Sequence, residues 1–205
     1  MRAAPHPRQA ERLEALHRYE ILDTAREAEF DEIVALAATI CGTSISVVNL
    51  IDEDRQWFKA EVGLGVRETP LETSICSHVI LSDDFVEITD TQADPRTQDN
   101  PLCVADGGLR FYAGALLKSP EGLPIGTLCV LHDAPHELND FQKGALRTLA
   151  RQVMRELDLR VALRDQMVLR REMDHRVKNS LQSVASLIHL YRARASADSF
   201  EAFDA

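Results

Sequence analysis

No run in this sequence approaches the roughly 20 consecutive apolar residues that a bilayer-spanning helix needs. The opening "MRAAPHPRQAERLEAL" also lacks the apolar region of a secretion signal. Together these absences predict a cytoplasmic protein with no membrane segment. Cationic residues are in short supply too: 23 Lys and Arg stand against 33 Asp and Glu, a formal charge of -10. A phosphate backbone attracts clustered Lys and Arg, so no nucleic-acid partner is expected. The four cysteines, Cys41, Cys76, Cys103 and Cys129, include no C-x-x-C pair. That spacing indicates neither a zinc ribbon nor a thioredoxin-like site, and buried free thiols are the expectation. A phosphate-cradling glycine loop is missing as well. The "GLG" at residues 63–65 lies in a strand-turn context with no helix behind it.

What is present suffices for a substantial core: 205 residues, 45% of them hydrophobic, suit one domain with an appendage or two small domains. After a loose arm with Pro5 and Pro7, "AERLEALHRYEIL" predicts a short helix with Leu13, Leu16 and Ile21 on one side. In "REAEFDEIVALAATICG", Phe30, Ile33, Val34, Ala37 and Ile40 recur at helical spacing, and Gly42 is placed to end that helix. The pattern then turns to strands: "SISVVNLIDED" and "RQWFKAEVG" predict one hairpin, "FVEITD" a single strand, and "LRFYAGALLKS" with "LPIGTLCVLHD" a second hairpin across "PEG". "TSICSHVILSDD" is ambiguous, with a short helix favoured. "TQADPRTQDNPLCVADGG" is a long polar segment that either serves function or carries short helices of its own. A final helix opens at Asn139 or Asp140 as N-cap. The order predicts an α+β domain on an antiparallel sheet.

Four stretches, "ISVVNLIDEDRQWFKAEVGL", "ETPLETSICSHVI", "DPRTQDNPL" and "LRFYAGALLKSPEGLPIGTLCVL", together resemble the GAF domain of bacterial signalling proteins over residues 13–159. The resemblance implies five or six antiparallel strands, helices packed on one face, and on the other a pocket for a small ligand. The ligand's identity does not follow, because neither the bilin-holding pattern nor the cyclic-nucleotide signature is evident. Cys76 and His78 in "SICSH" would share a face if that stretch were a strand, where they could ligate a metal or sense redox state. The alternative is a half-buried thiol beside a polar-tipped histidine. Trp57, Phe58, Phe111 and Tyr112 are candidates either for lining a cavity or for plain core. Ligand contacts are expected between Ser74 and Phe111, with Cys76, His78 and Phe111 as candidates.

Beyond residue 159 no strand or turn signal appears before about Ser196. Val177, Leu181, Val184, Ile188, Tyr191 and Ala195 fall at alternating steps of four and three, the seam of a coiled coil or helical bundle. His175 lies roughly 160° round the helix from this seam, with Asn179, Gln182 and Ser186 beside it. A histidine there stays accessible, and its neutral imidazole can act as a nucleophile. Asp174 could orient the ring and accept its proton, while Arg176 and Lys178 could offset phosphoryl charge. Asn179, at i+4, shares the face of His175. The rival reading of the spacing is a charge-decorated surface helix.

"DHRVKNSLQSVASLIHLYRARA" resembles the phosphoacceptor helix of HWE-type sensor histidine kinases and their relatives, in which an acid precedes the histidine. By that resemblance His175 is the phosphoacceptor and Asn179 the polar residue four places on. The fold expected is thus α+β, a GAF-like sheet with flanking helices followed by a long coiled-coil-like helix. Residues 1–12 form an arm, 13–159 the sensory domain, and 160–205 the connecting helix and first helix of the phosphoacceptor region. The second dimerisation helix and the ATP-binding domain have no counterpart before Ala205. Hence no cofactor is expected in this chain, ATP and Mg²⁺ belong to the absent domain, and 205 residues alone should not turn over ATP. The resemblance implies a receiver domain of a response regulator as partner. A parallel homodimer through the terminal helix is expected, Leu146, Leu149, Val153 and Leu157 extending the contact. Two rivals remain: a non-enzymatic ligand-binding module with a dimerisation helix, and a metal-dependent enzyme using Cys76, His78, His132 and His136.

Overall fold

A computed structural model describes residues 3–82 and 84–201, with side chains described as far as residue 190. It divides into two compact units, Met1–Leu159 and Arg160–Ala205. The first begins with two helices, α1 (Gln9–Arg18) and α2 (Ala28–Cys41). Along α2 the residues Phe30, Ile33, Val34, Ala37, Ala38 and Cys41 are buried, one stripe at helical period. The helix ends where Gly42 takes φ +66°, and the N–H of Thr43 bonds back to Ala38 O at 3.1 Å, a Schellman closure that favours glycine at that place. On α1 the packed face differs from the expectation. Arg12, Ala15 and Leu16 are buried while Leu13 is half-buried. The Arg12 guanidinium donates to Ile51 O at 2.5 Å, and burial lowers its pKa to about 10 against the opposing pull of Asp52.

Six strands follow: β1 (Ile45–Ile51), β2 (Arg55–Val62), β3 (Glu68–Pro70), β4 (Phe85–Ile88), β5 (Phe111–Lys118) and β6 (Pro124–His132). They form one antiparallel sheet in the order β3-β2-β1-β6-β5-β4. Both predicted hairpins are there, and β3 is a short edge strand that the sequence pattern did not announce. The β1–β2 register slips between Val48 and Asn49, so that Lys59 is the extra residue of a bulge. This re-aims its side chain. Lys59 Nζ donates to Thr24 Oγ1 at 3.0 Å, to Ala25 O at 2.7 Å and to Glu27 Oε1 at 2.5 Å, and sits over the Phe30 ring. A fully buried ammonium is tolerable because its charge and three hydrogens are matched.

Period 2 gives the sheet two apolar faces. On the first, Val48, Leu50, Trp57, Phe111, Ala113, Leu117, Leu128 and Val130 are buried on the side of Phe30 and the other inward residues of α2. The last helix, α5 (Asp140–Glu201), starts here. Asn139 is its cap: Asn139 Oδ1 accepts from Gln142 N at 3.0 Å, and Gln142 Oε1 accepts from Asn139 N at 2.9 Å, a reciprocal capping box. Leu146, Ala150, Val153, Met154 and Leu157 of α5 are buried within the first unit. Lys143 pairs with Glu87 of β4 at 2.6 Å, and Arg147 with Asp84 at 2.8 Å. These positions are therefore occupied, which corrects the expectation that Leu146, Val153 and Leu157 extend a contact with a second copy.

The second face carries Val47, Ile51, Phe58, Val86, Ile88, Tyr112, Leu116, Cys129 and Leu131. Two short helices cover it, α3 (Cys76–Val79) and α4 (Pro101–Val104). The long polar segment is held by its own side chains. Asn100 Oδ1 caps α4 at Leu102 N and Asn100 Nδ2 reaches Thr73 O, each at 3.0 Å. Thr97 Oγ1 donates to Thr91 O, and Gln92 Nε2 to Cys103 O. Backbone groups that a buried loop would orphan are thus satisfied. The sequence's turn residues here are structural.

Candidate functional site

Beneath that cover lies a cavity of about 60 Å³, bounded by Val47, Phe58, Ile75, Tyr112 and Leu131 and by the polar side chains of Asn49, Gln56, Thr69, Cys76 and Cys129. A string of hydrogen bonds crosses its floor. Asn49 Nδ2 and Ser74 Oγ both donate to Gln56 Oε1, at 2.9 and 2.7 Å, and Gln56 Nε2 donates to Thr69 Oγ1 at 2.5 Å. Ser74 Oγ also accepts the N–H of Ser77, fixing the entry to α3. The string is incomplete: Asn49 Oδ1 is buried with no partner among the described residues. A buried carbonyl oxygen without a partner favours a molecule that can donate a hydrogen bond to it.

Cys76 stands at the centre. Its Sγ is 3.3 Å from Tyr112 Oη and 3.8 Å from Cys129 Sγ, whose thiol also lies 3.8 Å from Val47 O. Gly114 makes this possible. A Cβ there would meet Tyr112 Oη at 2.3 Å, so the bare glycine lets the phenol lie across β5 toward the sulfur. Burial pushes the Cys76 thiol up, but the polar hydrogens of Cys129, Thr127, Tyr112 and Asn49 favour its thiolate and bring it down to about 7. Cys129, bonded to Cys76 and buried beside it, is raised well above the ordinary thiol value. All four cysteines are buried and free.

The other candidates for this site do not reach it. "SICSH" forms a helix, so Cys76 and His78 lie about 200° apart rather than on one face. Phe111 and Trp57 point to the opposite side of the sheet from their neighbours Tyr112 and Phe58, as strand alternation requires. Phe111 instead meets the His136 ring edge-on, and His136 lies against His132. His132 and His136 are therefore across the sheet from Cys76, and the metal constellation of the rival reading is not assembled. Among the described residues no group of three or more His, Cys, Asp or Glu could hold a metal ion. Of the four aromatic candidates Phe58 and Tyr112 line the cavity, whereas Cys129 and Asn49 are residues that sequence reasoning missed. Asn49 left a trace, as the amide between Val47 and Ile51 on an apolar face.

The second candidate site lies on α5. His175 is exposed, as are Asp174, Arg176, Lys178 and Asn179. Arg176 reaches back one turn to Glu172 at 2.5 Å, and the carbonyl of Asn179 accepts from Ser183 Oγ. On the far side Val177, Leu181, Val184 and Ile188 are 52% to 64% exposed, with Met173 and Leu187 at the margins of the stripe. Tyr191 and Ala195, expected to continue it, lie outside the residues whose side chains are described. No helix among the described residues is long and apolar enough to cross a membrane.

Comparison with known proteins matches both sites. The profile of the GAF domain covers residues 25–157, and that of the HisKA_2 histidine kinase segment covers residues 172–204. A cyclic di-GMP phosphodiesterase of Pseudomonas aeruginosa is 38% identical over 135 residues, 65% of this chain. The chain spans 23% of that relative's length. Among solved structures, the GAF domain of an Acinetobacter phosphoenolpyruvate-protein phosphotransferase superposes with TM-score 0.53 at 19% identity, covering 76% of this chain and 98% of that one. A domain described as that of a two-component sensor histidine kinase of Sinorhizobium meliloti gives 0.52 at 18%, covering 72% and 99%. At such identities these two likenesses speak for the fold alone. The chain thus belongs to the GAF domain family, and its GAF domain is followed by a phosphoacceptor segment of the histidine kinase type.

Proposed function

We propose that the chain is the sensory and phosphoacceptor portion of a cytoplasmic two-component sensor histidine kinase. The observation that carries this reading is the placement of His175: exposed, inside the matched segment of residues 172–204, and on the helix face opposite an apolar stripe. A lone pair on one ring nitrogen attacks the γ-phosphorus of ATP, the bond to the bridging oxygen breaks, and ADP departs. Asp174 orients the ring through its other N–H and stabilises the positive charge that develops. Lys178 and Arg176 offset the phosphoryl charge, Arg176 at the expense of its pairing with Glu172. Asn179, one turn on, positions the group, which then passes to an aspartate of a response regulator. ATP and Mg²⁺ are bound by an ATP-binding domain that acts on this helix in cis or in trans. The stripe around Leu181 is covered by a second copy of the chain.

The test supplies such an ATP-binding domain with γ-labelled ATP. Acid-labile label should appear on the chain and vanish in His175→Ala; label that persists in the variant defeats the assignment. A second reading draws on the relative, which shares 135 residues with this chain while bearing a different activity in its name. In that reading the GAF unit is a portable ligand-binding module and the helix only dimerises. The same experiment separates the two, since a dimerising helix takes no label.

A further inference from the structure

Independently of phosphotransfer, we propose that Cys76 and Cys129 form a reversible dithiol pair oxidised by a hydroperoxide that enters the cavity they line. Three observations converge. The two sulfurs are 3.8 Å apart, so closing to a disulfide needs about 1.8 Å of approach. Cys76 sits on α3, a four-residue helix tied to the sheet chiefly by side chains, while Cys129 is fixed mid-strand in β6. The short helix supplies the movement.

The second observation is the size and chemistry of the cavity. At about 60 Å³ it holds a few water-sized molecules, given that one needs roughly 10 to 15 Å³ on this measure. No Asp, Glu, Lys, Arg or His lines it. A small neutral oxidant of two oxygen atoms fits where an anion would not. The third is the unmet hydrogen-bonding of Asn49 Oδ1, in a cavity-lining residue only 1% exposed. This amide oxygen can accept a hydrogen bond from an O–H of a peroxide and hold it beside the sulfur.

The steps balance. The Cys76 thiolate attacks one peroxide oxygen, the O–O bond breaks, and hydroxide leaves to take up a proton as water. Cys76 is now a sulfenic acid. The Cys129 sulfur then attacks Cys76, its thiol proton passing to the departing hydroxyl, which leaves as a second water. Sulfur has lost two electrons in all, and the peroxide has gained them. Tyr112, the remaining titratable group facing the pair, donates its hydroxyl hydrogen toward Cys76 and keeps its thiolate available. Cys41 and Cys103 lack these partners. Burial raises both, Cys41 to about 11.

The test treats the reduced chain with hydrogen peroxide, alkylates remaining thiols, and maps peptides by mass spectrometry. A peptide linking Cys76 to Cys129 should appear, two hydrogens lighter than the reduced pair, and disappear on adding dithiothreitol. Cys41 and Cys103 should be recovered as free thiols throughout. In Cys129→Ser a dimedone adduct should accumulate at Cys76, and in Cys76→Ser both signals should be lost. Because each variant alters a buried side chain, the unsubstituted chain decides alone if they fail to fold. A linkage between any other pair, oxidation of Cys41 or Cys103 as fast as Cys76, or survival of both thiols in excess peroxide overturns the assignment.

Discussion

Lys59 occupies the extra place of the β2 bulge with its ammonium out of water, matched by Thr24, Ala25 and Glu27. Removing one partner of a buried pair leaves the other uncompensated, and such losses start near 3 kcal/mol. Since Glu27 keeps some contact with water, Lys59→Ala should cost about 3 kcal/mol in urea unfolding, with Lys59→Met losing less because its stem still covers Phe30. Equal stability of the unsubstituted and Ala proteins would show the pairing to be worth nothing. At Cys76 the residue-scale consequence is one of pH. The thiolate is the reactive form, and its pKa is lowered to about 7, so labelling by iodoacetamide should rise as pH passes upward through 7 and level off above it. Cys41 should remain slow until about pH 11. A common profile for the two thiols would contradict the hydrogen-bonding described at Cys76.

At the scale of elements, β5 owes its access to the cavity to Gly114. Gly114→Ala would drive a Cβ into the Tyr112 hydroxyl, the far end of a side chain that can swing away. The expected outcome is an upward shift of the Cys76 labelling profile together with a loss of about 1 to 3 kcal/mol, the usual cost of overpacking. An unmoved profile would mean that Tyr112 does not tune the thiol. On α5 the exposed stripe forfeits apolar burial in a single copy, at about 0.8 kcal/mol per methylene left in water. Leu181→Lys combined with Ile188→Lys should convert a dimer to a monomer in sedimentation equilibrium, leaving the GAF unit's thermal transition in place. A monomer before substitution would remove the second copy from the proposal.

For the whole molecule, the absence of a phosphate-cradling loop from 205 residues predicts that the purified chain releases no phosphate from ATP. Measured turnover would reveal a nucleotide site that neither sequence nor fold displays. How much was legible follows from the range over which each feature is specified. Helical period along Phe30, Ile33, Val34 and Ala37, strand alternation in both hairpins, and the setting of His175 opposite Val177 and Leu181 are local patterns, fixed by neighbours within a turn or two. The sequence by itself therefore determined the two-part plan, the antiparallel α+β sheet and the exposed histidine. It could not determine which thiol Cys76 meets, because Cys129 is 53 positions away and only the register of β6 against β1 brings it there. The short helix favoured for "SICSH" is there and parts His78 from Cys76, but local pattern could not tell that Phe111 would turn from the cavity toward His136, or that Leu146, Val153 and Leu157 would be taken up by their own domain. Those outcomes belong to tertiary structure, since an apolar face states that it will be buried and leaves the choice of partner to whichever surface packs against it most closely.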